Sequence, residues 1–242
     1  MRWGIFSDVH SNLEAFEAVI KAYKSQEIDS YLCIGDLVGY GANPAECIRI
    51  AKDIARVTVA GNHDWAAAGL FSVDYFNERA KQAVLWTQRK ISSADLSLLS
   101  SLSLVYETGD FVIVHGTLNS PEEFSYLFDI SEAAQTFGLM RKQLCFVGHT
   151  HSPGIFIQDK KGKIDYQREQ RLKFREGCRY VVNVGSVGQP RDGNSKAGFC
   201  IYDSGKREIL IKRVAYDIES AQKKIIGAGL PAFLATRLSA GR

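Results

Sequence analysis

Short apolar runs alternate with longer amphipathic stretches along the first 150 residues. Five runs rich in Val, Ile and Phe are predicted strands: RWGIF (2–6), YLCIG (31–35), VTVAG (57–61), FVIVHG (111–116) and LCFVG (144–148). Four segments between them are predicted to be mainly helical from the spacing of their apolar side chains: 12–26, 43–54, 65 to about 103, and 129–142. This alternation is typical of an α/β domain.

The pattern changes after residue 150. Three stretches predict antiparallel strands and hairpins: 154–167, 179–185 and 198–214. The tail, residues 218–238, has a helical pattern that is interrupted near Gly229 and Pro231. Because the chain shows no internal repeat, low-complexity segment or linker, residues 1–242 are predicted to form a single mixed α/β domain.

Composition narrows the class of protein. The chain has 45% hydrophobic and 24% charged residues and a net charge of +3, which is an ordinary globular mixture compatible with an anionic substrate. The basic segment 160–175 is interpreted as a solvated hairpin rather than a nucleic-acid surface, so no stable nucleic-acid binding is expected. No apolar run approaches the roughly 20 residues of a membrane span, and no membrane association is expected. The five scattered cysteines, without a CxxC pair, favour a reducing cytoplasmic location.

Polar side chains follow each of the five predicted strands of the first 150 residues. The candidates, in chain order, are Asp8, His10, Asp36, Asn62, His115, His149 and His151. With His63, they include every histidine of the chain. Because ligands bind at the carboxyl ends of strands in α/β sheets, we expect these side chains to converge. Any one of these endings alone would indicate only a turn or a hydrogen-bonded surface histidine, so the interpretation depends on the whole series.

The residue types indicate a metal site. Carboxylates, imidazoles and an amide, without a thiolate, suit divalent Mn, Fe, Zn or Ni. Seven side chains exceed the ligands that one ion needs, whereas two ions that share a bridging carboxylate would use them all. Residues i and i+2 of an extended segment point to the same side, so His149 and His151 are predicted to serve one ion each.

The motifs SDVHSN, GDLVGYG, GNHD, VHG and GHTH, in this order, resemble those of the calcineurin-like metallophosphoesterases over residues 5 to about 155. The later NVGSVGQPRDG resembles the small bacterial and archaeal phosphodiesterase branch. The resemblance implies a four-layer αββα sandwich with two mixed β-sheets. It also implies one ion on Asp8, His10, Asp36 and His151 and a second ion on Asp36, Asn62, His115 and His149.

The resemblance implies a mechanism as well. A metal-bridging hydroxide would attack phosphorus in line, and His63 would assist the leaving group as a general acid or hydrogen-bond donor, oriented by Asp64. The expected activity is that of a phosphodiesterase for small nucleotides or dinucleoside polyphosphates, with manganese as the expected ion. Two alternatives remain open: a phosphomonoesterase, and a non-catalytic scaffold like the retromer subunit of the same fold, for which eroded ligands would be expected. The tail helix could also cover a partner subunit in a homo-oligomer.

One motif departs from the protein serine/threonine phosphatase branch. That branch has GDxxDRG where this chain reads GDLVGYG, so its phosphate-binding Arg is replaced by Tyr40. Arg191, on a Gly-rich loop, is a candidate replacement, and Asn12 and Tyr40 are further candidates for substrate contact. Each has a structural alternative, such as helix capping for Asn12.

If Arg191 does bind the phosphate, Arg191→Ala will raise KM or lower kcat in an ester-hydrolysis assay, because a charge-assisted contact is lost. Unchanged values of both constants would leave Arg191 as a solvated loop residue.

Overall fold

Two mixed six-stranded sheets form the centre of the structure, a computed structural model that describes residues 1–242. The first sheet contains, in spatial order, β3 (Ala55–Thr58), β2 (Ser30–Cys33), β1 (Arg2–Phe6), β11 (Ala197–Asp203), β12 (Glu208–Val214) and β9 (Arg171–Lys173). Strands β1, β2 and β3 are parallel, whereas β11 pairs antiparallel with β1 and starts an antiparallel half.

The second sheet has the same plan. Its spatial order is β4 (Val105–Glu107), β5 (Phe111–Val114), β6 (Leu144–Val147), β10 (Arg179–Asn183), β7 (Gly154–Gln158) and β8 (Ile164–Gln167). Strands β5, β6 and β10 are parallel, and β4, β7 and β8 are antiparallel to their neighbours. Each sheet therefore contains a parallel trio whose carboxyl ends can present ligand-binding side chains.

Eight helices accompany the sheets: α1 (Leu13–Lys24), α2 (Pro44–Ile54), α3 (Asn62–Ala67), α4 (Glu78–Gln88), α5 (Ser93–Ser100), α6 (Ile130–Leu139), α7 (Ile218–Gly227) and α8 (Ala232–Ala240). Helices α1 and α2 pack on the outer face of the first sheet, and α6 packs on the outer face of the second. The predicted four-layer αββα order with two mixed sheets is confirmed. The amphipathic tail forms α7 and α8 around a separate small cluster that includes Tyr40 and Ala80.

The central core lies between the two sheets. In β6, Leu144 and Phe146 point into this core, whereas Cys145 and Val147 face α6. Strand β1 has the same alternation, with Ile5 in the central core and Phe6 against the helices. Both faces of these strands are covered, which explains why their sequences are continuously apolar instead of alternating with polar residues.

Two short strands differ from the prediction. No strand is predicted over residues 105–107, where β4 lies, and β9 lies in the segment interpreted as a solvated hairpin but pairs with β12 instead of with β8. Each is held by pairing with a longer neighbour, which a local hydrophobic pattern does not reveal. The basic segment 160–175 contains β8 and β9, so it runs from the edge of one sheet to the edge of the other. None of the helices is long and apolar enough to cross a membrane.

The Tyr23 hydroxyl joins α1 to the first sheet. It lies 2.9 Å from the carbonyl oxygen of Ile5 and 3.2 Å from that of Cys200, two residues that oppose each other across β1 and β11. The ring is fully buried and packs edge-on against Tyr31 and Phe199. Tyr23 is thus a hydrogen-bonded anchor within the apolar layer.

We expect Tyr23→Phe to lower the free energy of unfolding by about 1–2 kcal/mol, because the buried carbonyls lose their donor. Urea denaturation monitored by circular dichroism measures this change. Tyr31→Phe is the matched control, since the Tyr31 hydroxyl makes no hydrogen bond within the protein, and its effect should be below about 0.5 kcal/mol. Equal stability of Tyr23→Phe and the wild type would contradict the anchoring role.

Candidate active site

The seven predicted ligands converge at one end of the two sheets. Each follows a parallel strand: Asp8 and His10 follow β1, Asp36 follows β2, Asn62 follows β3, His115 follows β5, and His149 and His151 follow β6. All seven side chains are buried. The two parallel trios therefore deliver their polar side chains to a single place, although they belong to different sheets.

The first group of side chains consists of Asp8, His10, Asp36 and His151, whose potential ligand atoms all lie within 4.8 Å of one another. His151 Nε2 is 3.2 Å from Asp8 Oδ1, and His10 Nε2 is 3.5 Å from Asp36 Oδ2. The two imidazoles face each other with their Nε2 atoms 3.1 Å apart. This group could hold a metal ion.

The second group consists of Asp36, His115 and His149. His115 Nε2 lies 3.3 Å from Asp36 Oδ2 and 3.1 Å from His149 Nδ1. Asp36 belongs to both groups, and its Oδ2 lies at similar distances from His10 and His115. Asn62 lines the same cavity as Asp36 and His149, and its side-chain oxygen is buried without a hydrogen-bond partner.

The outer nitrogens of three histidines contact main-chain carbonyls. Three such pairs occur: His10 Nδ1 with Val38 O at 3.0 Å, His115 Nδ1 with Ile34 O at 2.6 Å, and His151 Nδ1 with Gln189 O at 2.6 Å. A carbonyl only accepts, so each Nδ1 carries the proton, and in the neutral ring the lone pair on Nε2 points into the site. Carbonyl contacts of this kind orient metal-binding histidines in general.

These residues fit metal ions on chemical grounds. His10 and His151 oppose one Nε2 lone pair to the other, and neutral rings in this tautomer cannot hydrogen bond through these atoms. Asp8 Oδ1 and Asn62 Oδ1 are also buried acceptors without a hydrogen-bond donor. A divalent cation in each group would satisfy these lone pairs, and the donor set of oxygen and imidazole nitrogen suits Mn, Fe, Zn or Ni.

The main chain at the site adopts left-handed conformations. Five of the candidate ligands have positive φ angles: Asp8 (54°), His10 (48°), Asp36 (54°), His149 (65°) and His151 (59°). Such angles are uncommon for residues other than glycine and concentrate at functional sites. Two candidate ligands follow a glycine whose lack of a side chain permits a close contact. A Cβ on Gly61, before Asn62, would lie 2.0 Å from Asp36 Oδ1, and one on Gly148, before His149, would lie 2.1 Å from Ser7 Oγ.

Electrostatics keeps the carboxylates of Asp8 and Asp36 ionised. Burial acts to raise the pKa of Asp36, but His115, His63 and His10 outweigh it, and the pKa lies well below its usual range. For Asp8, burial is likewise opposed, mainly by His151, and the pKa is again lowered. The site therefore presents charged oxygens to a cation.

His63 lies beside this cluster, where its ring packs between aromatic neighbours. Its centroid is 4.4 Å from that of Tyr40 and 4.8 Å from that of Phe76. Burial lowers its pKa to about 4, so the ring is neutral near pH 7. The ring lies directly over Gly39, because a Cβ there would be 2.3 Å from His63 Nδ1.

Asp64 differs from the expectation that it orients the His63 ring. Its carboxylate instead accepts hydrogen bonds from the main-chain N–H groups of Asp36 (2.8 Å), Val38 (3.2 Å) and Gly61 (3.1 Å), while His63 Nδ1 is buried without a partner. Burial and the charge of Asp36 raise the pKa of Asp64 to about 7. Asp64 therefore ties the loop after β2 to the loop after β3, which holds Asp36 and Asn62 in place.

A cavity of about 300 Å³ opens over the ligand cluster. Tyr40 and Arg191, two of the predicted substrate residues, line it, and Arg191 Nη2 donates to the Tyr40 hydroxyl at 3.3 Å. Asn12 does not line this cavity. It caps α1 by accepting from Ala15 N–H, and its amide donates to the Gly188 carbonyl. Contact between Asn12 and the substrate stays a prediction.

Aromatic side chains form two walls of the cavity. One wall comes from the stretch before α4 and the other from the stretch before α6, with side chains Phe71, Tyr75, Phe76, Phe124 and Tyr126. The ring of Tyr126 stacks on that of His149 with centroids 3.9 Å apart. Both stretches, FSVDYF and EEFSYLF, are dense in aromatic residues, which is the signal that could have identified them.

Comparison with known proteins agrees with this geometry. The model of the calcineurin-like phosphoesterase superfamily domain matches residues 1–207. An uncharacterised protein of Methanocaldococcus jannaschii is 41% identical over 243 residues, which cover 98% of this chain and 97% of that protein.

Solved structures show the same fold. The metallophosphoesterase from Sphaerobacter thermophilus is 38% identical, with a TM-score of 0.89 over 100% of this chain and 99% of its own. A hypothetical protein from Pyrococcus horikoshii is 18% identical and has a TM-score of 0.80 over 100% and 98% of the two chains. Because the family model covers most of the chain and a metallophosphoesterase superposes on all of it, this protein belongs to the calcineurin-like phosphoesterase superfamily and is a hydrolase of phosphoric esters.

Proposed function

We propose that this protein is a phosphodiesterase that uses two metal ions and acts on small nucleotide-like diesters. The observation that carries this proposal is that two buried ligand groups share Asp36 and open on one aromatic-walled cavity. Asp8, His10, Asp36 and His151 would hold one ion, and Asp36, Asn62, His115 and His149 would hold the other. Manganese is the ion we propose, with Fe, Zn and Ni as the alternatives that the donor set admits.

Bound ions would supply positive charge to a phosphate and activate a water molecule as the nucleophile. The protein side chains then have to bind and orient the substrate and to stabilise the departing oxygen. Arg191 lines the cavity and can place its guanidinium on a phosphate oxygen, because the Tyr40 hydroxyl and Gln189 Oε1 hold it from one side. No serine or cysteine nucleophile is required in this scheme.

We propose that the neutral His63 ring donates a hydrogen bond from its N–H group to the departing oxygen. Its ring lines the cavity beside Asn62 and Tyr40 and is fixed by packing instead of by a carboxylate. Asp64 acts as a positioning residue through the main chain of Asp36 and Gly61. Partial protonation of the leaving group contributes typically 10²–10⁴-fold to such reactions.

The walls of the cavity favour a substrate with planar groups. Phe71 and Tyr75 stack on each other, and Tyr126 presents a partly exposed ring across the cavity. A nucleobase can stack on rings of this kind, with a contribution of about 1–3 kcal/mol per base. A diester with a nucleoside on one or both sides would use these walls, whereas a small phosphomonoester would leave them empty.

We further propose that the protein works in the cytoplasm as one domain over residues 1–242. All five cysteines are buried and unpaired, as expected in a reducing compartment.

The exposed Phe128, Ile130 and Leu139 around α6 would allow a homo-oligomer. Size-exclusion chromatography with light scattering measures that state.

The shared position of Asp36 predicts how metal content responds to substitution. We expect the wild type to retain about two ions per chain, Asp36→Asn to lose both, and His149→Gln to lose about one, because His149 belongs to one group only. Plasma mass spectrometry of protein purified without chelators gives these numbers. If His149→Gln released all metal while Asp36→Asn kept both ions, the two-group arrangement would be wrong.

His63 provides the test of the reaction itself. We expect His63→Ala to lower kcat for bis-p-nitrophenyl phosphate with added Mn²⁺ by about 10²–10³-fold, because the departing oxygen loses its donor. Metal content should stay at the wild-type value, which separates this effect from the loss of a ligand.

The same assay compares bis-p-nitrophenyl phosphate with p-nitrophenyl phosphate. A higher kcat/KM for the diester supports the proposal, and a higher value for the monoester would replace it with a phosphomonoesterase. Near-normal turnover by His63→Ala would remove His63 from the mechanism. Absence of both metal and turnover would favour a scaffold.

A further inference from the structure

The loop that carries Arg191 joins β10 to β11 and is anchored to the loops of two candidate ligands. The Gly188 N–H donates to the Asp8 carbonyl at 2.9 Å. The Gln189 carbonyl lies 2.6 Å from His151 Nδ1, and the Arg191 N–H donates to the His151 carbonyl at 3.2 Å. The main chain is therefore fixed beside the candidate metal centre up to Arg191.

Directly after Arg191, the loop is anchored by an ion pair. The Asp192 carboxylate accepts a hydrogen bond from Arg213, which lies in β12 of the first sheet. Only 17% of the Asp192 side chain and 12% of the Arg213 side chain are exposed. Arg213 Nη1 also donates to the carbonyl of Lys196, the last residue before β11, at 3.0 Å. Arg213 thus connects β12 to the loop at two points.

The side chain of Arg191 has hydrogen-bond donors to spare. Its Nη2 lies 2.9 Å from Gln189 Oε1 and 3.3 Å from the Tyr40 hydroxyl, whereas its Nε is buried without a hydrogen-bond partner. Arg191 forms no ion pair with an aspartate or glutamate. Because it also lines the cavity, its guanidinium is free to bind an anion there.

The carboxylate next to Arg191 in the sequence depends on Arg213. Asp192 Oδ2 accepts from Arg213, and Asp192 Oδ1 is buried without any donor. Loss of Arg213 would leave this mostly buried carboxylate without a counter-charge, which is unfavourable. The carboxylate would then turn to water or to the guanidinium of Arg191. Either movement displaces Arg191 or neutralises it, so that it no longer offers its charge to the cavity.

We propose that Asp192 and Arg213 are positioning residues, which hold the Arg191 guanidinium in place for a phosphate oxygen of the substrate. This inference rests on the proposed function, in which Arg191 contacts the phosphate, and deepens it. Neither Asp192 nor Arg213 lines the cavity, so their effect on the reaction has to pass through Arg191. A displaced contact group lowers the rate even when every reacting group is present.

A double-mutant cycle in the metal-loaded enzyme tests this dependence on Arg191. We expect Arg213→Gln to lower kcat/KM for bis-p-nitrophenyl phosphate by about tenfold, because the charge-assisted contact of Arg191 is lost. In the Arg191→Gln background the same substitution should change kcat/KM by less than about twofold, since the residue that it positions is already absent. Full additivity of the two losses would show that Arg213 only stabilises the fold.

Two further variants keep this test independent of folding. Asp192→Asn removes the charge from the other end of the pair and should lower kcat/KM about threefold or more, again only when Arg191 is present. Arg171→Gln is the matched control, because Arg171 of β9 forms an ion pair with Glu208 at the other end of β12. It removes an ion pair from the same strand and should change kcat/KM by less than about twofold.

A binding measurement separates this proposal from the proposed function. Isothermal titration calorimetry of the metal-loaded protein with inorganic phosphate should give a Kd about tenfold weaker for Arg213→Gln and for Arg191→Gln than for the wild type and Arg171→Gln. The double variant should bind no more weakly than Arg191→Gln. An unchanged Kd and kcat/KM in Arg213→Gln would overturn the positioning role and leave the proposed function intact. If the wild type hydrolysed no ester but phosphate binding followed this cycle, the proposed function would fail and the positioning role would stand.

Discussion

Buried acceptor atoms without hydrogen-bond donors are gathered where the two sheets end, and the rest of the structure holds them there. Two ionised carboxylates and four imidazoles meet there in a buried space, and the neutral rings of His10 and His151 face each other through Nε2 atoms 3.1 Å apart without a proton between them. Taking such groups out of water is costly unless a counter-charge is present. Bound cations would compensate this desolvation cost. The surrounding fold has to hold the side chains in place before the cations bind.

The two-sheet sandwich holds these side chains rigidly. Each parallel trio of strands is fixed by a core on both faces, so the loops that follow the strands start from well-defined positions. Main-chain carbonyls of these same loops orient His10, His115 and His151, and Asp64 ties two loops together through main-chain hydrogen bonds. Left-handed backbone at five candidate ligands is unfavourable locally and persists because this framework over-determines it.

Much of this could be predicted from the sequence, because the relevant signals are local. Continuous apolar runs predicted the buried strands, and polar residues at their ends, such as Asp8 and His149, predicted a convergent cluster. Strand β4 escaped prediction because it is only three residues long, although it pairs with the adjacent β5. The partner of β9, the distant β12, could not be predicted because no local pattern encodes long-range pairing. The role of Asp64 and the place of Phe71 and Tyr126 on the cavity wall depend on how separate loops meet, which no local pattern encodes.

The candidate ligands and the walls of the cavity occupy different parts of the fold. The ligand cluster belongs to the strand ends, whereas the cavity walls come from the stretches before α4 and α6 and from the loop that carries Arg191. The claim that the ligand cluster holds two ions bridged by Asp36 is tested most directly by anomalous diffraction from a crystal grown with Mn²⁺. Our account predicts two peaks roughly 3.5–4 Å apart, both within coordination distance of the Asp36 carboxylate. A single peak, or two peaks of which only one contacts Asp36, would contradict it.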